Sequence, residues 1–309
     1  MKSLITGILG QDGSYLAEIL YAKGYEIFGV VRPGTDNQRK KWLQDKIEVK
    51  FLEGDLTDSI SCDSIIDQIR PDEIYNFAGI SDVFDPFDNL ELLYKVNCNL
   101  PCNILSSIVK FDKSIKFFQS SSRLVFGRSE FGVINELGRR EPQYPYGATK
   151  LFVDNMINEF RIKYNLFACS GIFFNHESPR RKDKFFTKKI INGVVDISLG
   201  KRKKILVGDL YRYVDMGYAK EFMEAVYLMM QSSKPRDYVI GTGHLTFLEE
   251  FVSMVFSEFG MDWKEHIEYD ERFKRISDGS KKADITKIKL DLGWEPKYKV
   301  KDLIKEMLK

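Results

Sequence analysis

The chain has 309 residues, a formal net charge of +2 and 30% charged residues, and this length suits one large α/β domain or two lobes around a cleft. Because the charges nearly balance and are spread along the chain, we expect no nucleic-acid partner. Because the chain holds no long apolar segment, we expect no membrane-spanning segment and a cytoplasmic location.

The first 24 residues predict a strand, a tight turn and the N-terminus of a helix. Residues 2–6 form a short apolar run, and a helical pattern of apolar residues begins at Leu16. Between them come three glycines, Gly7, Gly10 and Gly13. Such a turn needs glycine for positive φ and for close approach of a pyrophosphate, which the first N–H groups of a helix attract. We therefore predict a dinucleotide site that includes Gln11 and Asp12. The alternative is an ordinary βα turn, because the spacing G-x-x-G-x-x-G is not the commonest fingerprint.

The next segment indicates which dinucleotide would bind. Residues 25–31 read as a second apolar strand, and Arg32 follows it directly. A carboxylate at this strand end would hydrogen-bond the ribose 2′-OH of NAD, whereas an arginine suits a 2′-phosphate. Arg32 therefore favours NADP over NAD, and the alternative is an arginine in a solvated loop.

Short strands and helices then alternate, which is typical of a doubly wound parallel sheet of the Rossmann type. Residues 50–52 and 73–77 read as strands, with a helix at residues 59–69 between them. In such a sheet the ligand crevice lies at the carboxyl ends of the strands. Asp55 and Leu56 follow a strand end, where they could contact an adenine. The alternative for this segment is a helix N-cap at Asp55 or Thr57.

A catalytic set is predicted in the middle of the chain. After a helix at residues 92–109, a strand at residues 115–119 runs into three serines, of which Ser122 is the last. Tyr146 and Lys150 are four residues apart at the start of a helix that continues to residue 164, so they share a face. A nearby ammonium favours the phenolate and lowers a tyrosine pKa, which makes the pair a candidate general acid/base. A strand-end serine can hold the reacting oxygen against the tyrosine.

The regular alternation of strands and helices becomes less regular after a strand at residues 167–174. We predict a dinucleotide-binding domain at residues 1–174, with contributions from about 215–243, and a smaller C-terminal substrate lobe at 175–309. Helices are expected at residues 187–199, 218–231, 248–259 and 301–308, with a strand at 238–241. The cysteines fall in apolar patterns without further metal-ligating residues nearby, so all four are expected to be core thiols.

Several long blocks resemble one known family over nearly the whole chain. ITGILGQDGSYLAEIL, GDLTD, YPYGATK, CSGIFFNHESPRR, FFTKKI and DYVIGTG are similar to blocks of the extended short-chain dehydrogenases that modify nucleotide sugars, and within them the GDP-mannose 4,6-dehydratases. The resemblance implies bound NADP, hydride transfer at C4 of the sugar, a nucleotide-sugar substrate in the smaller lobe, and a homo-oligomer. The oligomer would be a dimer or tetramer built on the helices at 92–109 and 150–164.

The resemblance also implies roles for individual residues. The glycine turn would hold the pyrophosphate, Arg32 the 2′-phosphate, and Asp55 and Leu56 the adenine. Tyr146 and Lys150 match the catalytic tyrosine and lysine, and Ser122 falls at the catalytic threonine. His176 is expected beside the cofactor, or alternatively as a packed loop histidine. The residues implied on the substrate side are Ser81, Asn175, Lys188, Arg212, Arg275 and Asp278.

The departures from the family pattern concern the chemistry. A 4,6-dehydratase carries a glutamate two residues after the catalytic threonine, and Leu124 stands there in this chain. Elimination of water across C5 and C6 needs an acid and a base, which leucine cannot supply. The string SSSRLVFG is instead similar to the SSSxxVYG loop of sugar 4-epimerases and related reductases. Val214 and Pro33 each replace an arginine, and Ile80 and Asp82 replace a glutamine and a histidine.

We therefore expect a 4-keto reductase or 4-epimerase that acts on a GDP-linked hexose or heptose. One alternative is a 4,6-dehydratase that uses another carboxylate, such as Asp82 or Asp85. The other is a non-catalytic relative that binds nucleotide sugar or a sister subunit as a regulator.

Overall fold

The computed structural model describes residues 1–81, 89–127, 131–271 and 280–309. The strands in these ranges are, in chain order, β1 Lys2–Thr6, β2 Glu26–Val31, β3 Lys50–Glu53, β4 Glu73–Asn76, β5 Lys116–Ser122, β6 Phe131–Ile134, β7 Ala168–Phe173, β8 Asn175–Glu177, β9 Ile205–Val207, β10 Tyr213–Tyr218, β11 Tyr238–Ile240, β12 Leu245–Phe247, β13 Ile267–Tyr269 and β14 Ser280–Ala283.

The α-helices in the same ranges are α1 Gln11–Ala22, α2 Asn37–Gln44, α3 Ser59–Ile69, α4 Leu90–Tyr94, α5 Leu100–Phe111, α6 Pro145–Tyr164, α7 Phe186–Ser198, α8 Ala219–Gln231, α9 Leu248–Ser257, α10 Thr286–Leu292 and α11 Val300–Leu308. Short 3₁₀ turns occur at Arg123–Phe126 and Trp263–Glu265, and a π-helical turn occurs at Lys95–Asn99.

Seven strands form one parallel sheet in the order β3-β2-β1-β4-β5-β7-β11. The strand order reverses between β1 and β4, and a doubly wound sheet binds ligands at such a switch point, outside the carboxyl ends of its strands. Helices cover both faces, with α1 and α8 packed together on one side and α3, α5 and α6 on the other. The predicted Rossmann-type fold is confirmed.

Both faces of the sheet are buried, which explains why its strands are apolar runs without alternation. Leu4 and Ile5 are adjacent in β1 and both are completely buried, each in a different apolar cluster. The remaining strands form small sheets, in the orders β12-β10-β8, β13-β9 and β14-β6. The division into a dinucleotide domain and a substrate lobe stays a prediction.

The predicted continuous helix at residues 92–109 is wrong in one respect. The segment is helical from Leu90 to Phe111, but a π turn at Lys95–Asn99 separates α4 from α5. Leu100 N donates to Lys95 O, five residues earlier, and Pro101 follows it without an N–H to continue the α-helical ladder. The predicted start of the next helix is also corrected, because α6 begins at Pro145 rather than at Lys150.

Candidate active site

A cleft of about 410 Å³ lies at the carboxyl ends of the central strands. It is lined from α1, from the loop after β4, from the end of β5 and the turn that follows, from the start of α6, and from β8, β10 and the first turn of α7. Predicted site residues that line it are Asp12, Ser81, Ser122, Tyr146, Lys150, Asn175, His176 and Arg212. The cleft therefore joins residues that are up to 200 positions apart in the sequence.

The turn between β1 and α1 has no room for side chains. Gly7 has a φ of +63°, and a Cβ there would lie 2.7 Å from the carbonyl carbon of Phe77. A Cβ on Gly13 would lie 2.5 Å from Gly7 O, so glycine lets the helix start close against the turn. Gly10 is the N-cap of α1 and supplies no side-chain cap, which leaves the first N–H groups of the helix able to bind an anion.

Asp12 and His176 form a charged pair at the floor of the cleft. The imidazole Nε2 lies 3.1 Å from both Asp12 carboxylate oxygens, and Nδ1 donates to Phe174 O at 2.8 Å. Burial disfavours the charged form of both side chains. The attraction between the two charges outweighs this effect of burial, so the Asp12 carboxylate raises the pKa of His176 and the imidazolium lowers the pKa of Asp12. Gln11 reinforces this contact by donating from Nε2 to His176 O and accepting from Ser178 Oγ.

The residues predicted for the adenosine half lie at the expected strand ends. Arg32 follows β2 directly and its side chain is exposed, and Asp55 is an exposed residue after β3. Leu56 is 3% exposed and packs into the apolar cluster under α3. The alternative that Asp55 or Thr57 caps the following helix is wrong, because the N-cap of α3 is Asp58, which accepts from Ser61 N. Asp55 instead accepts from Thr57 N within the turn.

Ser122, Tyr146 and Lys150 meet at the end of β5. The Ser122 hydroxyl and the Tyr146 phenol line the same cleft, and Ser122 favours the ionised form of the phenol. Lys150 is 3% exposed and its Nζ donates to Ser120 O at 2.8 Å, while it lies 5.6 Å from the centre of the Tyr146 ring. The i, i+4 spacing on α6 places both side chains on one face, as predicted.

The predicted net lowering of the Tyr146 pKa is wrong in this structure, because burial outweighs the groups that favour the phenolate. Burial raises the pKa of Tyr146 to about 12, against opposing contributions from Ser122 and the Arg181 charge. Burial also lowers the pKa of Lys150 to about 8, although Asp154, Cys98 and Asp12 favour its charged form. At neutral pH the phenol therefore keeps its proton and the lysine is mostly charged.

Asn97 is a site residue that the sequence analysis did not assign. It lies in the π turn, is 2% exposed, and accepts from Ile80 N at 2.8 Å. Its Nδ2 donates to Ile80 O and to Thr149 Oγ1, so it fastens the loop after β4 to the catalytic helix. The signal available in the sequence was a lone asparagine on the apolar face of a helix.

Two arginines, Arg123 and Arg181, also line the cleft. Arg123 Nε donates to Asn175 Oδ1 at 2.9 Å, next to the catalytic serine. Arg181 pairs with Glu177, which also accepts from Thr187 Oγ1. Neither arginine was predicted as a site residue, although Arg181 ends the NHESPRR block.

The other residues predicted on the substrate side either do not line the cleft or lie outside the described residues. Lys188 lies on α7 and is not among the described residues that line the cleft. Arg275 and Asp278, and the alternative carboxylates Asp82 and Asp85, fall outside the described residues. Leu124 lines the cleft as predicted from its position, together with the apolar side chains Phe186, Val214, Met216 and Leu248.

The described residues hold no cluster of three or more histidine, cysteine or acidic side chains that could bind a metal ion. All four cysteines are free thiols, and three of them are buried, as the core-thiol prediction expects. In the described ranges, no helix combines the length and the apolar character that a membrane span needs.

Comparison with protein families gives a match along almost the whole chain. The model of the GDP-mannose 4,6 dehydratase family matches residues 4–307. The human GDP-mannose 4,6 dehydratase is 37% identical over 339 residues, which cover 99% of this chain and 90% of the relative. GDP-mannose 4,6 dehydratase 1 of Arabidopsis thaliana is 35% identical over 319 residues, with 99% and 88% coverage.

Solved structures of more distant sequence share the fold. The dTDP-glucose 4,6-dehydratase of Bacillus anthracis, in complex with NAD, superimposes with a TM-score of 0.86 at 22% identity and covers 100% of this chain and 95% of its own. The UDP-glucose 4-epimerase of Thermotoga maritima, with UDP-glucose, gives a TM-score of 0.87 at 23% identity, with 100% and 97% coverage. The fold is therefore the one that these dehydratases and epimerases use.

Proposed function

The chain belongs to the GDP-mannose 4,6-dehydratase family, and from this premise we propose that it is an NADP-dependent enzyme acting at C4 of a GDP-linked hexose or heptose, or of its 4-keto derivative. We propose that its reaction is 4-keto reduction or 4-epimerisation rather than dehydration. Leu124 lines the cleft, and this is the observation that carries the choice, because the family resemblance implies a glutamate at this position in a dehydratase.

The described residues fit a dinucleotide. The glycine turn leaves a side-chain-free approach to the N-terminus of α1, which suits the pyrophosphate. Arg32 is exposed at the carboxyl end of β2, which suits a 2′-phosphate and favours NADP over NAD. When bound, the nicotinamide group supplies or accepts the hydride at C4.

Tyr146 is the proposed proton donor to the C4 oxygen. Its raised pKa keeps the phenol protonated at neutral pH, as the reductive direction requires. Ser122 shares the hydrogen bond to the same oxygen, and the Lys150 ammonium stabilises the phenolate that forms when the proton leaves. In the oxidative direction the Tyr146 phenolate would accept the proton of the C4 hydroxyl, while Ser122 and the Lys150 ammonium stabilise that phenolate. A 4-epimerase would use both directions, with rotation of the keto sugar between them.

Dehydration would require two further proton transfers, at C5 and at the C6 hydroxyl. The carboxylates among the described residues that line the cleft are Asp12 and Glu177. Asp12 is paired with His176, and Glu177 with Arg181 and Thr187. The described wall beside Ser122 is formed by Leu124, which moves no proton. These contacts support a reductase or epimerase.

The substrate side of the cleft suits a nucleotide sugar. Ser81, Asn175 and Arg212 line the same cleft as the catalytic set, and a guanidinium there suits a diphosphate. We retain Lys188, Arg275 and Asp278 as proposed substrate residues from the family pattern alone.

The first experiment separates the reactions by mass. The purified protein is incubated with GDP-mannose and NADP, and separately with GDP-4-keto-6-deoxymannose and NADPH. Reduction adds two hydrogens to the keto sugar and leaves GDP-mannose unreacted, and C4 epimerisation gives a product of unchanged mass that separates on chromatography. Loss of water from GDP-mannose would contradict the proposal and indicate a dehydratase.

The dehydratase remains the second candidate because the relatives that are 35% and 37% identical carry that name. Leu124→Glu tests what the leucine does, and Leu124→Gln is the matched control with the same shape and no ionisable group. We expect Leu124→Glu to gain water loss from GDP-mannose that neither the native chain nor Leu124→Gln shows. If the native chain already dehydrates and Leu124→Glu adds nothing, the acid/base lies elsewhere.

Replacement of the tyrosine tests catalysis itself. We expect Tyr146→Phe to lower kcat by about 10² to 10⁴-fold while dinucleotide affinity is retained, because the variant lacks only the hydroxyl group that donates the proton. Tyr164→Phe, at the far end of α6, is the control. Biological activity that is untouched in Tyr146→Phe would favour a non-catalytic regulator.

A further inference from the structure

The carboxylate of Asp154 lies behind the catalytic set and has no part in the chemistry described above. It belongs to α6, one turn after Lys150 and two turns after Tyr146, so the three side chains follow one face of the helix. The residue is 6% exposed. A buried carboxylate costs free energy unless its surroundings compensate for it, which calls for a physical reason.

Three consecutive serines at the end of β5 contact these three residues of α6. Ser120 O accepts from Lys150 Nζ at 2.8 Å, Ser121 Oγ donates to Asp154 Oδ2 at 2.8 Å, and Ser122 lines the cleft with Tyr146. Hydrogen bonds thus join the strand end to the helix at two successive turns. Asp154 forms the contact furthest from the cleft and fixes the serine that lies between the other two.

Burial and the neighbouring charges have opposite effects on the buried Lys150. Lys150 is faced by Asp154 from its own helix, by Asp12 from α1, by Cys98 from the π turn, and by the carbonyl of Ser120. Of these, Asp154 contributes most to keeping the lysine charged, and burial alone opposes that charge.

Asp154 in turn is held by a cation from outside the helix. Arg140 donates to Asp154 Oδ2 at 3.1 Å, with Ser121 on the same oxygen. The charge of Asp237 opposes the ionised carboxylate. Burial raises the pKa of Asp154 to about 6, so it is ionised at neutral pH.

We propose that Asp154 is a positioning residue that keeps the buried Lys150 charged and fixes the end of β5 against the catalytic helix. The relevance to catalysis rests on the function proposed above, in which the Lys150 ammonium stabilises the Tyr146 phenolate. The electrostatic role itself is a property of the folded chain and can be measured without any substrate.

The test is an NMR titration of lysine in the holoprotein, with NADP bound and ¹³C at the lysine Cε. Most lysines titrate far above neutral pH, and the Lys150→Met variant identifies the signal of Lys150. In Asp154→Asn the amide oxygen can still accept from Ser121, but the charge is gone. We expect the midpoint of the Lys150 signal to fall by about one pH unit or more.

Ser121→Ala is the matched control, because it removes the hydrogen bond and leaves the charge. Its Lys150 midpoint should stay at the native pH. If Asp154→Asn also leaves the midpoint unchanged, Asp154 is only a packing residue and the proposal is overturned. If Asp154→Asn does not fold, Arg140→Gln provides the second test. Removal of the Arg140 cation raises the pH at which Asp154 titrates. The Lys150 signal responds to the charge of Asp154, so the inflection that Asp154 causes in its titration curve should move to higher pH. An inflection that does not move in Arg140→Gln would also overturn the proposal.

A kinetic readout separates this proposal from the proposed function. With a reacting sugar, Asp154→Asn should shift the alkaline limb of the kcat profile to lower pH with little change in KM. If no sugar reacts, the proposed function fails, but the NMR midpoints still decide the role of Asp154.

Discussion

The pairing of Asp12 with His176 makes a prediction at the level of single residues. Burial alone would lower the pKa of His176 below its ordinary value of 6.5, and the Asp12 carboxylate reverses that direction. In Asp12→Asn the imidazole keeps its burial and loses its counter-charge. We therefore expect His176 to titrate above 6.5 in the native chain and below it in the variant.

The measurement is a proton NMR titration of the histidines. The chain has only three, His176, His244 and His266, so the signals can be assigned by single replacements. Asp58→Asn, which removes the acidic cap of α3, is the control and should leave all three midpoints unchanged, because the Asp58 carboxylate accepts from Ser61 N and is hydrogen-bonded to none of the histidines. A His176 midpoint that is equal in native chain and Asp12→Asn would contradict the charged pair.

The same pair fixes the pH range in which it stabilises the fold. The folded-state pKa of His176 is raised, so its contribution is full below 6.5 and is lost as the pH rises through the folded value. The pKa of Asp12 is lowered from 3.8, so its contribution is full above that value and is lost in acid. The contribution of the pair is therefore largest between about pH 4 and 6.5.

At the level of elements, the β1–α1 turn is the segment that tolerates least change. A Cβ at Gly7 would meet both a positive φ and the carbonyl of Phe77 at 2.7 Å, whereas Gly34 has a φ of +75° with open space around it. We expect Gly34→Ala to cost about 1 kcal/mol of unfolding free energy from backbone strain alone. Gly7→Ala should cost about 3 kcal/mol or more, because the backbone must also shift.

Thermal unfolding of both variants checks this expectation. Binding of NADP gives a second readout, since a displaced turn would weaken the pyrophosphate site in Gly7→Ala. Its control is Gly260→Ala, because Gly260 has a φ of +66° with open space around it and is not a proposed dinucleotide residue. Equal losses of stability in Gly7→Ala and Gly34→Ala would mean that the positive φ accounts for the whole cost and that the clash with Phe77 relaxes freely.

The elements that the sequence predicts are those whose pattern is set by local burial. Helix α3 and six of the seven strands of the parallel sheet were predictable because each has four residues or more; β11 has three, but they form a buried apolar run. The strands β8, β12 and β13 have three residues each, which is too short for any period. The π turn was hidden because its cause, the missing N–H of Pro101, acts on the residues before it.

In the candidate site, too, the residues whose role follows from local sequence were predictable, and those whose role depends on distant partners were not. Tyr146, Lys150 and Ser122 could be predicted because each occupies a defined place on a helix or strand end. Arg123, Asn97 and Asp154 could not, because their roles depend on partners 52, 17 and 33 residues away. The direction of the Tyr146 pKa shift was missed for a related reason, since burial is a property of the assembled cleft.

At the level of the whole molecule, one buried carboxylate joins segments that are distant in the sequence. Asp215 of β10 is 1% exposed and accepts hydrogen bonds from the backbone N–H groups of Thr242, Gly243 and Ala283, each within 3.0 Å. It therefore ties the small sheet to the end of β11 in the main sheet and to β14. The cleft wall that carries Val214 and Met216 is positioned by this contact.

The outer face of α6 leads to the last prediction, which concerns assembly. Phe152 is 46% exposed there, and Tyr94 of the neighbouring α4 is 57% exposed. The family pattern places a dimer's four-helix bundle at these helices, and aromatic side chains of this size lose much water-accessible surface in such an interface. We expect the native chain to form a dimer or tetramer in solution and Phe152→Asp to weaken or abolish the bundle.

Sedimentation velocity at several protein concentrations measures the change. Ile60→Asp is the matched control, because Ile60 is 78% exposed on α3, away from the proposed bundle, and its replacement should leave the sedimentation coefficient unchanged. Since α6 also carries Tyr146, Lys150 and Asp154, the bundle would brace the outer side of the helix whose inner side holds the catalytic groups. A fully active monomer of Phe152→Asp would show that α6 is held in place by its contacts with β5 and the π turn alone.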